Sequence, residues 1–371
     1  MPTSLKCAYA ATADLPLHGA KRTPSRVIAT ASRLAITAAL LMLAACARLP
    51  SVQQQPSIQQ QPWPLDENLP RQHRIAELPF FPQTENQCGP AALATVLNYR
   101  GQPVTPKALA KTVFVPKRGG SLQIELVAQA RRTGQLAYTL PNNFASLLAE
   151  VTQNNPVLVM QNLRFSWWPK WHYAVVKGYD LDRELIVLNS GKTEDYTMPA
   201  ALFEKTWARA KRWGLVVLHP SQLPASAEPL PLIKAINDLE QVGHLEAAEQ
   251  GYQAALARWP DEEMALFGMA NFYHVQGNYP EANQLYQRLI NQNPNFSQGW
   301  NNYAYLLLAA QCSTQATQAA TCAVSLDSNN DNYRATLKEV SLDAERAALD
   351  EEIPYVETSQ PINCPTLTCP L

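Results

Sequence analysis

One cysteine in this sequence stands where a thiol can act as a nucleophile. The stretch Gln83-Thr84-Glu85-Asn86-Gln87-Cys88-Gly89-Pro90-Ala91-Ala92-Leu93 runs from a polar approach straight into an apolar helix former. Pro90 suits a first helical turn, which puts Cys88 at the helix N-terminus. The open N–H groups and partial positive charge of such an end favour thiolate, the nucleophilic form. Gly89 allows close approach to the backbone, and the Cys88 N–H can donate to an oxyanion. A thiol nucleophile also needs a base. Of six histidines, His18 lies in the N-terminal leader, His73 in a polar linker, and His244 and His274 in helical repeats. His172 opens an apolar strand and is the preferred base over His219, which sits beside Pro220 at a domain edge.

The elements that must hold these groups follow from pattern. Helices are expected over 90–99, 121–132 and 143–152, and strands over 156–160, 173–179, 184–189 and 213–219. Helices come first and antiparallel strands gather later, an α+β layout for residues 76–220. A Pro-containing linker, 221–230, follows. Beyond it Gly243, Ala248, Tyr252 and Pro260 recur as Gly277, Ala282, Tyr286 and Pro294, each 34 residues on (277 − 243, 282 − 248, 286 − 252, 294 − 260). That period is the tetratricopeptide one, expected over 231–330 with a weaker, capping third unit from Trp300. Residues 331–371 are read as a C-terminal helix and a Pro-rich tail.

The N-terminus reads as an export signal. Lys21, Arg22, Arg26 and Arg33 precede a short apolar run that ends Leu43-Ala44-Ala45-Cys46, which resembles a bacterial lipobox. Residues 1–46 would then be a lipoprotein signal with Cys46 as lipidation site, and 47–75 a Gln/Pro-rich linker. Ala47 is not Asp, so the expected address is the periplasmic face of the outer membrane. In an oxidising compartment the seven cysteines must be sorted. Only Cys88 lies between Cys46 and Cys312, a single thiol worth flagging as reactive unless it bridges to a distant cysteine. Cys312 with Cys322 and Cys364 with Cys369 are close enough for local disulfides, although spacing leaves the pairing open.

Cys88-Gly89-Pro90-Ala91-Ala92-Leu93 followed by His172-Tyr173-Ala174-Val175-Val176-Lys177-Gly178-Tyr179 resembles the bacteriocin-processing (double-glycine leader) cysteine peptidases of the papain-like fold. The resemblance implies Cys88 as nucleophile, His172 as base, Asn189 as the residue orienting the imidazole, and Gln83 as oxyanion donor, with Gln87 as rival. Asn189 is followed by Ser190 where the family has Pro, and Gln83 stands one residue nearer the cysteine than the family's Gln. Trp167, Trp168 and Trp171 wall a substrate groove or belong to the core. No phosphate loop, no His-Glu-x-x-His and no zinc spacing occur, so neither ATP, cofactor nor metal is implied. A formal net charge of −1 offers no field for nucleic acid. The expected protein is an exported, lipid-anchored cysteine peptidase whose repeats recruit a protein substrate or partner. The alternatives are an acyl-transfer relative using the same pair and an inactive tetratricopeptide scaffold.

Overall fold

The computed structural model describes residues 69–83, 86–348 and 362–370. The leader, the proposed lipidation site Cys46 and most of the Gln/Pro-rich linker lie outside them. Among the described residues no helix is long and apolar enough to cross a membrane.

The first part is a helix-and-sheet domain. Its seven-stranded antiparallel sheet has the order β4-β9-β5-β6-β7-β8, with β1 also on β6. The strands are β1 (Gln72–Arg74), β4 (Leu136–Thr139), β5 (Val157–Asn162), β6 (Trp171–Asp180), β7 (Leu185–Ser190), β8 (Thr193–Pro199) and β9 (Gly214–Leu218); β2 (Phe114–Val115) and β3 (Gly120–Ser121) form a separate ribbon. β6 is buried almost throughout: its first half pairs with β5, its last residues with β1, and its other edge with β7. Five helices flank the strands: α1 (Cys88–Tyr99), α2 (Pro106–Val113), α3 (Gln123–Arg132), α4 (Phe144–Thr152) and α5 (Ala200–Ala208). α1 has no polar face, and every residue from Cys88 to Leu97 is buried. That burial, worth about 1.5–3 kcal/mol for each large apolar side chain, outweighs the missing side-chain N-cap. The sheet has two faces. Tyr179 bonds to Thr152 of α4 and Gln161 to Thr206 of α5, both on the face that carries His172. The opposite face, with Tyr173, meets β3 and the start of α1, because the Tyr173 hydroxyl donates to Ser121 O and Ser121 fills the space beside Gly89.

Seven helices follow: α6 (Pro229–Gln241), α7 (Leu245–Arg258), α8 (Glu263–Val275), α9 (Tyr279–Gln292), α10 (Ser297–Ala309), α11 (Ser313–Leu326) and α12 (Asp331–Ala348). Ala248, Tyr252, Ala282 and Tyr286 are all buried. Gly243 and Gly277 hold left-handed turns at φ 84° and 75°, and Gln311, one period further on, takes the same turn at φ 62°. The third unit therefore keeps the geometry without the glycine, at the cost of a strained side-chain-bearing residue.

Two expectations change here. The cysteines pair Cys312–Cys364 and Cys322–Cys369, not locally. The tail is thereby bound across α11, with Leu367 buried and its carbonyl accepting from Gln318 Nε2 at 3.0 Å. Cys312 caps α11 and Cys322 lies ten residues further along it, about 15 Å away by helical rise, so neither can reach the other and each meets a tail cysteine instead. The stretch 221–230 is a strap rather than a free linker. Fully buried Glu150 accepts from Ser226 N (2.7 Å), Ser226 Oγ (2.6 Å) and Asn155 Nδ2 (2.7 Å), while Arg100 donates to Asn155 Oδ1 at 2.6 Å. Arg131 pairs with Asp238 at 2.6 Å, and the apolar core runs on from the sheet into α6–α8.

Glu150→Ala should strip the strap of its acceptor and lower stability by about 3 kcal/mol, read as an earlier denaturation midpoint, with Glu150→Gln losing less; an unchanged midpoint would mean that the strap is held by packing alone. Peptide mapping without reduction should recover Cys312 linked to Cys364 and Cys322 to Cys369, and reduction should lower stability by about 2–4 kcal/mol per bridge.

Candidate active site

Cys88 is the first residue of α1 and is buried. Asn86, in the left-handed region at φ 61°, turns the chain into the helix. No side chain caps this end, and Ala91 N bonds back to Gln87 O, so the helix presents open N–H groups there. Gly89 is required by contact: a Cβ on it would stand 2.6 Å from Ser121 Oγ and 2.7 Å from Ser121 Cβ.

His172 is 2% exposed, in the second position of β6. Its Nε2 shares a 2.9 Å hydrogen bond with Ser190 Oγ, and its Nδ1 is buried with no hydrogen-bond partner. One nitrogen thus fixes the ring and the other keeps its capacity to accept. Burial, then the positive charge of Lys170, pushes the imidazole down to about 4, so the ring is neutral at pH 7.

The ring's hydrogen-bond partner is Ser190, while Asn189 lies on the other face of the strand. Asn189 stands opposite Val175, and Ser190 opposite Ala174. Strand alternation sends Ser190 to the face of His172 and Asn189 to that of Tyr173. There Asn189 Oδ1 accepts from Asp195 N at 3.3 Å, and its buried Nδ2 has no partner. A sequence places both residues at a strand end; only the hairpin register says which shares a face with His172.

Gln83 is buried beside this strand end. β7 stops at Ser190, and Gln83 takes over: its N–H donates to Gly191 O at 3.0 Å, and its Nε2 to Tyr173 O at 3.4 Å. Gln87 stays half-buried at the helix cap. The structure thus gathers Gln83, His172 and Ser190 around the start of β6, with α1 reaching it from the Tyr173 side. Ser121 and Tyr173, not singled out in the sequence, complete that side. They line a 670 Å³ cavity with Met160, Trp171 and Trp213. Among the described residues no cluster of side chains could hold a metal ion.

The low His172 value has a pH signature. An unfolded histidine takes up its proton near 6.5 and this one only near 4. Between those values the unfolded chain binds more protons, so the contribution is complete above about pH 6.5 and is lost as pH falls towards 4, on the order of 3 kcal/mol. A proton NMR titration should find the His172 ring neutral throughout pH 5–8; a midpoint near 6.5 would contradict its burial.

Comparison with known proteins matches these two parts separately. Residues 75–214 match the model of the Peptidase C39 like family. Residues 233–299 and 285–318 match tetratricopeptide repeat models. A C39-like peptidase from Bacillus anthracis is 17% identical, covering 40% of this chain and 97% of that one, with a TM-score of 0.35. A double glycine motif protease from an AMS/PCAT transporter, solved with a leader peptide, is 21% identical over 39% of this chain and 93% of that one, with a TM-score of 0.30. Cellulose synthase 1 operon protein C of Komagataeibacter xylinus is 43% identical over 53 residues, which is 14% of this chain and only 4% of that protein. The chain carries a Peptidase C39-like domain followed by tetratricopeptide repeats.

Proposed function

We propose that the sheet domain is a cysteine peptidase that cleaves an exported peptide or protein, with the repeats recruiting substrate or partner. The observation that carries this reading is the state of His172, whose Nε2 is pinned by Ser190 and whose Nδ1 is buried and open. With the proton on Nε2 and donated to Ser190 Oγ, Nδ1 would be a neutral acceptor. Cys88 Sγ–H would pass its proton to Nδ1 as the sulfur attacks a peptide carbonyl carbon. Cys88 N–H and Gln83 Nε2 would donate to the oxyanion. The imidazolium would return its proton to the departing amine, and water would then hydrolyse the thioester to free acid and thiol. No cofactor enters these steps.

The same reading places the protein outside the cytoplasm, lipid-anchored through Cys46 at the periplasmic face of the outer membrane. The lipobox-like leader supports it, as do two disulfides between distant cysteines. Transfer of the acyl group to an amine instead of water would use the same residues and is told apart by its products.

A second reading, a catalytically silent domain serving the repeats, draws on one observation: α1 and the His172 ring belong to opposite faces of the sheet. Labelling the reduced full chain with a thiol-reactive peptidyl electrophile separates the two. Catalysis requires Cys88 to label, Cys88→Ala to abolish it, and His172→Ala to slow it about 100-fold. Labelling that ignores His172 would leave the silent domain as the account.

A further inference from the structure

The tip of the β5–β6 hairpin is the least expected surface of this domain. Phe165, Trp167 and Trp168 are 59%, 78% and 60% exposed, side by side on one short turn. Phe165 and Trp167 stack at 5.5 Å, Trp167 and Trp168 lie 6.2 Å apart, and the Arg164 guanidinium covers Trp168 at 5.2 Å. Water does not hold such a group together for its own sake, and a cluster of this kind on a monomer marks a contact surface.

The turn is also built to stay in place. One buried amide, Asn162, donates from Nδ2 to Phe165 O at 3.2 Å and accepts at Oδ1 from Arg164 N and Lys170 N, both at 3.0 Å. Arg209 clamps the base of the turn by donating to Arg164 O at 2.7 Å. The aromatic tip is thus a rigid projection.

Its charge is one-sided. The segment 163–171 holds Arg164 and Lys170 and no acid. Arg209 and Lys211 lie alongside, on the rim of the cavity that Trp171 and exposed Ile124 also line. Among the described residues Arg164, Arg209 and Lys211 make no ion pair.

We propose that this hairpin docks the domain on a bilayer surface bearing anionic headgroups. Tryptophan is suited to the headgroup boundary, where its ring is sheltered and its N–H stays wet, and arginine and lysine behind it meet the lipid phosphates. A narrow convex tip favours a soft, laterally continuous surface over a protein groove, and the all-cationic surround selects negative charge. The contact is independent of the proposed catalysis and of an acyl anchor.

The test uses intrinsic tryptophan emission of the full chain. Vesicles of three parts phosphatidylcholine to one part phosphatidylglycerol, brominated on the acyl chains, should quench it, with partitioning roughly 10-fold above that into phosphatidylcholine alone. Trp167→Phe with Trp168→Phe should keep binding, measured by co-sedimentation, and lose the quenching. Phe165→Ser with Trp167→Ser and Trp168→Ser should lose binding to the anionic vesicles while keeping the wild-type melting temperature. Quenching that survives Trp167→Phe with Trp168→Phe would place the lipid contact elsewhere and overturn the proposal. So would vesicles that leave emission unchanged, in which case protection of the tip by a peptide substrate would make it a wall of the substrate groove.

Discussion

β6 is the constraint on which the rest depends. It is paired on both edges and buried on both faces, so its register cannot slip without turning its whole hydrophobic set over. That register decides what each side chain at its start can do. His172 and Ser190 emerge together on one face, and Tyr173 and Asn189 on the other. At the same end β7 stops, and Gln83 occupies the edge it leaves. The candidate site is thus the place where a central strand loses one of its two strand neighbours. Four polar atoms there, His172 Nδ1, Gln83 Oε1, Asn189 Nδ2 and Ser121 Oγ, are buried and unsatisfied. Such atoms cost about 1–3 kcal/mol each when left unpaired in a protein interior.

The second half of the molecule is not an appendage. Glu150, at the end of α4, holds the strap that leads into α6, and the core of the sheet domain continues through Ile236 and Tyr252. The two parts are therefore joined through a buried hydrogen-bond network. At the far end the disulfide-bound tail closes the last repeat, where an open apolar face would otherwise remain.

Much of this was legible in the residues. Cys88 at a helix start follows from Pro90 and the apolar run behind it, and the 34-residue spacing names the repeats. What could not be read depends on pairing between distant segments. Nothing local says that Asn189 faces Val175 and leaves the imidazole to Ser190. The pairing of Cys312 with Cys364 depends on a tail folding back across 52 residues. The strap looked like a linker because proline, serine and alanine lack burial signals of their own; its order comes from a carboxylate 76 residues upstream. The Trp-rich turn was open between core and groove, and its exposure is set by Asn162, an amide that no pattern distinguishes.

The central claim is that His172 is a fixed, neutral base whose open nitrogen serves Cys88. Nitrogen-15 NMR of the imidazole in the reduced protein at pH 7 tests it most directly. The account predicts a proton on Nε2, an unprotonated Nδ1, and a shift at Nδ1 when Cys88 is changed to Ala. A ring protonated on Nδ1, or one whose nitrogens ignore that substitution, would show that His172 braces the sheet and plays no part in chemistry at the thiol.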